Sequence, residues 1–283
     1  MGSLRVRGDP LAALRAASLC VASGKGGTGK SVVTASLATL FARRGPTLLV
    51  DADLGAGNAH ILQGVTPEHS FVEVVEGTRR TEEIVTRCGR GLDLLAGGSG
   101  YARLAGLSTY ELHVVACGLE RLELAYRTVL VDSAAGLSEQ TVSFAAAADV
   151  VLLVTTPDVT ALTDAYAFLK VLLQRSPSAE PLLVVNRATS EDEGRAAAER
   201  IRGVSSKFLA RAPRFVASLP EDRAAFRSVQ QRRPVTAHEP DSPLAGALAR
   251  LAEVVEDELA HVGRGGIGRQ LLRHVGYSPE RAR

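Results

Sequence analysis

Residues 18–41, SLCVASGKGGTGKSVVTASLATLF, run from small apolar residues into a loop with four glycines and out into a stretch of helical spacing. That order of strand, glycine loop and helix gives meaning to the G-x-x-x-x-G-K-[ST] match at Gly24, Gly29, Lys30 and Ser31. Glycines let successive backbone N–H groups turn toward one anion, and the following helix adds the partial positive charge of its N-terminus. Lys30 is then expected to reach the β- and γ-phosphates of a nucleotide, and the Ser31 hydroxyl to ligate Mg²⁺. Lysine occurs at only four positions, Lys25, Lys30, Lys170 and Lys207, among 33 basic residues. Two of the four lie in this loop. In a chain so biased toward arginine, retained ammonium groups mark positions where a compact point charge is needed and a planar guanidinium does not serve.

Outward from the loop, short runs rich in Val and Leu alternate with longer helical stretches. The expected strands are 18–23, 46–51, 91–97, 128–133, 150–156, 181–186 and 214–219; none shows period-two alternation, as expected of strands buried on both faces of a parallel sheet. Helices are expected at 30–44, 108–125, 138–148, 158–174, 191–210 and 243–261. The fold class is therefore α/β, a mostly parallel twisted sheet with helices on both faces. One domain, 18–262, accounts for this pattern. Ahead of it, residues 1–17 hold DPLAALRAA (9–17), a short helix with Asp9 as N-cap and Pro10 at the first helical position. Behind it, residues 263–283 form a basic tail.

The 283 residues are 46% hydrophobic and 23% charged, with a formal net charge of +2, so there is no general pull toward nucleic acid. Cys20, Cys88 and Cys117 are scattered and form no CxxC pair, which points to a reducing compartment and no metal cage. No apolar run approaches the ~18 residues of a membrane span, so the expectation is a cytoplasmic protein.

Three aspartates fit the loop. Asp51 and Asp132 end buried strands in LLVDADLG and TVLVDSAAG, with Asp53 two residues beyond the first. The carboxyl ends of parallel strands face the crevice where ligands bind. Asp132 suits a metal-holding role through water, Asp51 the ordering of the metal's water shell, and Asp53 the orientation or deprotonation of an attacking water. In VVNRAT (184–189), Thr189 stands where a guanine-specific site has an aspartate, while the Asn186 amide can serve an adenine edge. ATP is expected over GTP.

With its second lysine, KGGTGKS (25–31) taken together with DADLG, VDSAAG and VVN resembles the deviant Walker-A ATPases of the MinD/ParA family. The segments VTTPDVTALTDAYAFLK (154–170), DADLGAGNAHILQG (51–64) and PEDRAAFRSVQQRRPV (220–235) resemble its FlhG (YlxH, FleN) branch of flagellar number and placement regulators. The resemblance implies a P-loop ATPase that binds ATP and Mg²⁺ and forms a homodimer with ATP between the subunits, with Lys25 reaching the partner's phosphates. It implies nucleotide contacts from Gly24, Gly26, Gly27, Thr28, Gly29, Lys30, Ser31, Val32, Asn186, Arg187, Pro220 and Asp222, metal-site roles for Ser31, Asp51 and Asp132, and catalytic roles for Lys25, Lys30 and Asp53. It also implies slow, partner-stimulated hydrolysis and flagellar basal-body partners. Residues 9–15 retain Asp9, Leu14 and Arg15 of the branch's helix that stimulates the GTPase FlhF, with Pro10 and Leu11 in place of its Gln and Ala. A plain packing helix is the alternative there.

In the tail, Ile267, Leu271, Leu272 and Val275 share one helical face, with arginines around it. This resembles the C-terminal membrane helix of MinD and FlhG and implies reversible attachment to an anionic membrane surface; packing on the domain and a frayed end are the alternatives. Two readings of the whole chain stay open beside the flagellar one: a ParA-type, DNA-associated positioning ATPase, and a nucleotide-dependent scaffold with negligible turnover.

Overall fold

The computed structural model describes residues 15–98 and 106–276. Its centre is one eight-stranded sheet in the order β3-β4-β2-β5-β1-β6-β7-β8. The strands are β1 (Ala17–Ser23), β2 (Thr47–Ala52), β3 (Thr86–Gly89), β4 (Leu92–Leu95), β5 (Thr128–Ala135), β6 (Val150–Thr155), β7 (Leu182–Ala188) and β8 (Arg214–Pro220). All neighbours pair in parallel except β3 and β4.

The apolar runs lack alternation because successive side chains enter two different cores. Cys20, Val50, Val131 and Leu153 point into one, with Phe144, Phe168 and Leu172; Leu19, Leu49, Leu130 and Leu152 point into the other, with Leu37, Phe41 and Leu248. The first core is roofed by α4 (Thr109–Leu122), α5 (Glu139–Ala147), α6 (Val159–Arg175) and α7 (Glu191–Leu209). The second is roofed by α1 (Lys30–Ala42) and α10 (Pro243–His261). Serines at positions 108, 138, 190 and 242 cap α4, α5, α7 and α10 by accepting a backbone N–H with their hydroxyls, each cap contributing about 1 kcal/mol.

All seven expected strands form, with ends shifted by at most a few residues. Strand β3 was not expected. It is a four-residue edge strand whose burial alternates, with Arg87 exposed, so it lacks the apolar run that marks the others. The short helices α2 (Ala59–Leu62), α3 (Phe71–Val75), α8 (Arg223–Gln230) and α9 (Val235–His238) also lacked a periodic signature long enough to read.

The tail differs most from expectation. Helix α11 (Ile267–Val275) is docked on α4 and α5, with Ile267 and Leu271 fully buried in the first core. The face offered by the sequence to a membrane therefore meets the domain, and 262/263 is no boundary of the core. Gly268 makes this possible: a Cβ there would lie 2.6 Å from the Cα of Glu120 and 2.7 Å from the carbonyl carbon of Leu119, both α4 backbone. Two carboxylates, buried Glu123 and half-buried Asp149, hold the start of α11. Gly268 N–H donates to Glu123 (3.1 Å), Gly265 N–H donates to Asp149 (2.8 Å), and Glu123 also pairs with the buried Arg15. Residues 9–14 of the expected N-terminal helix lie outside the described residues, while Arg15 leads directly into β1 and is fixed in the fold. Among the described residues no helix is long and apolar enough to cross a membrane.

Candidate functional site

The glycine loop leaves β1 at Ser23 and enters α1 at Lys30, at the carboxyl end of the parallel strands. Gly27 and Gly29 have φ of 80° and 86°, in the left-handed region that favours glycine. Gly24 is required for another reason: a Cβ there would sit 2.8 Å from the Ala165 nitrogen and closer still to the Asp164 carbonyl, so α6 passes against the loop backbone.

The Asn186 side chain braces the far side. Its Nδ2 donates to the Thr28 carbonyl at 2.8 Å and blocks the space a Gly29 Cβ would need. Asn186 was expected to meet a base; in the fold its amide nitrogen is committed to the loop. The Thr28 hydroxyl is buried without a hydrogen-bond partner. An orphaned donor inside a cradle of glycines fits an anion such as phosphate.

Beneath the loop, Lys30 Nζ donates to Asp132 Oδ1 at 2.7 Å, both side chains being almost wholly buried. The Thr34 hydroxyl, one turn along α1, has its one hydrogen between the Lys30 carbonyl (2.9 Å) and the same Asp132 oxygen (3.1 Å), and Lys30 Nζ lies 3.4 Å from the Ser31 hydroxyl. Asp51 stands directly across from Asp132 in the β2–β5 register. It accepts from Ala59 N–H at 2.9 Å and from Asp53 N–H at 3.3 Å. Burial, and then the Asp132 carboxylate beside it, push the Asp51 carboxyl up to about 8. The facing carboxyl groups of Asp51 and Asp132, together with the Ser31 hydroxyl, are a donor set of the hard-oxygen kind that suits Mg²⁺. Among the described residues no group of three or more His, Cys, Asp or Glu could hold a metal, so oxygen ligands from phosphate or water would be needed to complete a shell. Asp53 is half-buried at the rim. Burial pushes the Cys20 thiol up to about 12 and leaves it inert.

Lys25 behaves differently from Lys30. It is exposed, and its Nζ donates to the Thr160 hydroxyl (2.7 Å) at the start of α6. Gly26 and Gly27 beside it are exposed too.

From Gly29 and Val32 a cavity of about 300 Å³ runs past Asn186, Arg187 and Pro220 to Phe226. The expected contacts there are brought together, but not all are available. Asp222 caps α8 through Ala224 N–H (2.9 Å) and ties it to α10 through Leu244 N–H (3.2 Å). Arg187, with φ of 58°, pairs with Glu221 at 3.3 Å. Sequence reasoning missed Thr34, which the i, i+4 spacing from Lys30 could have given, and Thr160 and Phe226, which only the fold brings to the site.

Residues 19–235 match the model of the CobQ/CobB/MinD/ParA nucleotide binding domain. The chain is 31% identical over 239 residues to the antiactivator FleN of Pseudomonas aeruginosa, covering 84% of this chain and 85% of FleN. It is 29% identical over 267 residues to the flagellum site-determining protein YlxH of Helicobacter pylori, covering 91% and 90%. Among solved structures, the septum site-determining protein MinD of Pyrococcus horikoshii, complexed with Mg-ADP, superposes with a TM-score of 0.73 at 26% identity, over 87% of this chain and 98% of that one.

Proposed function

Because the chain belongs to the CobQ/CobB/MinD/ParA nucleotide-binding family and is an ATPase of its MinD/ParA kind, we propose that it is a Mg²⁺-dependent switch that dimerises around ATP and acts as a FleN/FlhG-like regulator of flagellar number or placement. The observation that carries the reading is the split between the two loop lysines. Lys30 is buried and paired within its own subunit, whereas Lys25 is exposed and its ammonium is turned out of the cradle to Thr160. An exposed cation held away from its own loop supports a role at a neighbour's phosphates.

The loop amides, the Thr28 hydroxyl and Lys30 bind the phosphates. Ser31 and Asp132 would hold Mg²⁺, with Asp51 beside them; the ion would supply charge neutralisation of the triphosphate. Asp53, at the rim beside Asp51, orients the attacking water and accepts its proton. Lys25 from the second subunit neutralises charge that develops at the γ-phosphate, so turnover waits on assembly. A cation supplied in trans is worth about 10³–10⁵ in rate in related phosphoryl-transfer systems. Hydrolysis then returns the chain to a monomer, and the energy serves location and partner choice.

Membrane attachment through the tail requires a state in which α11 leaves α4 and α5, since its apolar face is otherwise covered. ATP-dependent sedimentation with anionic vesicles tests that step.

The deciding experiment is sedimentation velocity with ADP, ATP and a non-hydrolysable ATP analogue. A dimer with the triphosphates alone is expected, lost in Lys25→Ala while ADP binding persists. An unchanged ATP dimer in that variant would overturn the reading. Nucleotide-dependent, salt-sensitive retention on non-specific DNA in place of vesicles would favour the DNA-associated alternative.

A further inference from the structure

We propose that Phe226 is the platform on which the nucleobase stacks. The inference rests on the reading that the site takes an adenine nucleotide, and adds to it the residue that seats the base.

Helix α8 buries Ala224 and Ser228, four residues apart and therefore on one face. Phe226 is two residues from each and projects on the opposite side, where it is 65% exposed. Packing of the core gives no reason for an aromatic ring there. Of the seven phenylalanines, Phe71, Phe144 and Phe168 are fully buried and Phe208 is as exposed as Phe226, but Phe208 lies away from the glycine loop.

What Phe226 does line is the cavity of about 300 Å³ that begins at Gly29 and Val32. Gly29 ends the phosphate loop, so a nucleotide held by that loop extends its base toward α8. The polar groups at this end are already engaged. Both Asp222 oxygens accept backbone N–H groups, Asn186 Nδ2 is committed to Thr28, and Arg187 pairs with Glu221. Pro220, Leu244 and Leu248 supply apolar wall. A flat heteroaromatic ring in such a space is held mainly through its faces, and an exposed phenyl ring at the mouth is a surface for one of them.

The test compares ADP·Mg²⁺ with tripolyphosphate, which has the charge and no base, by calorimetry on the monomer. Stacking on an aromatic residue predicts an ADP affinity about 5- to 20-fold weaker in Phe226→Ala, with tripolyphosphate binding unchanged. The chain has no tryptophan, so Phe226→Trp supplies a single reporter. Its emission is expected to be quenched by ADP and not by tripolyphosphate. Wild-type ADP affinity in Phe226→Ala, or a Phe226→Trp emission indifferent to saturating ADP, would overturn the proposal while leaving the ATPase reading in place. A Phe226→Ala variant altered only in ATP-driven dimerisation would assign the ring to a second copy of the chain and overturn it equally. Failure of the wild-type chain to bind ADP at all would bring down the functional reading and this inference with it.

Discussion

Replacing Gly268 by alanine sets two physical effects against each other with opposite signs. Gly268 is the second residue of α11, and alanine in a helix is worth about 1 kcal/mol over glycine. Were α11 free of the domain, Gly268→Ala would stabilise it or do nothing. In the docked arrangement the new methyl meets the α4 backbone at 2.6 Å from Glu120 Cα, roughly an ångström inside ordinary contact. Backbone cannot rotate away, so α11 has to lift by about that much, and a gap of 0.5–1 Å forfeits about a quarter to a half of each packing contact. Ile267 and Leu271 are 1% and 0% exposed, each worth about 1.5–3 kcal/mol when fully buried. The lift also stretches the Gly268 N–H bond to the Glu123 carboxylate, a bond to a charged group worth about 1.5–3 kcal/mol. The expected destabilisation is about 2–4 kcal/mol, or roughly 4–12 °C in melting temperature for a chain of this size. Thermal unfolding reads the sum. Amide exchange over 265–276 reads whether protection is lost there first. Gly263→Ala, whose methyl meets nothing within 4 Å, is the control and should stay within about 0.5 kcal/mol. A melting temperature unchanged or raised in Gly268→Ala, with intact exchange protection, would refute the docked helix.

Asp132→Asn strips the buried Lys30 of its counter-charge and is expected to cost about 3–5 kcal/mol in the nucleotide-free state, measured by urea midpoint and partly restored by ADP, whose phosphates supply negative charge. Asp51 titrates near 8 in the folded chain, held there by burial and by Asp132, against about 3.9 when unfolded. Between those values the folded state keeps a proton that the unfolded chain has released, so stability without metal falls as pH rises from about 4 to about 8. Asp51→Asn should flatten that slope in urea midpoints taken near pH 5 and near pH 8; an unaltered slope would contradict the placement. Asn186→Ala removes the brace on the loop and should weaken ADP binding about 3- to 10-fold in calorimetry, with no change in fold by circular dichroism.

The central strands and the phosphate loop were legible in the sequence because their signals are local. A strand buried on both faces writes a run of Val and Leu, and a loop that turns its amides inward writes glycines at fixed spacing. The carboxylates could be placed at strand ends by the same logic. What could not be read is whatever depends on pairing distant segments. Lys30 finds Asp132 across 102 positions, and Lys25 finds Thr160 across 135. The amphipathic stripe of α11 has one sequence signature whether it meets lipid or another helix; only Gly268, set against α4, decides for the helix here. Asn186 was identified as important, but its direction was not, because an amide can face a base or a loop carbonyl equally well. Strand β3, at the sheet edge, reads like a turn because its burial alternates and its apolar side chains are few.

The way Arg15 and α11 meet has an architectural consequence. Glu123 takes the Arg15 guanidinium with one oxygen and the Gly268 amide with the other, and Arg264 donates to the Arg15 carbonyl. Arg15 lies at the end of β1 remote from the glycine loop, so the start of the first strand and the last described helix are stitched together at one pole of the sheet, and any strain at that strand start is carried straight to the packing of α11.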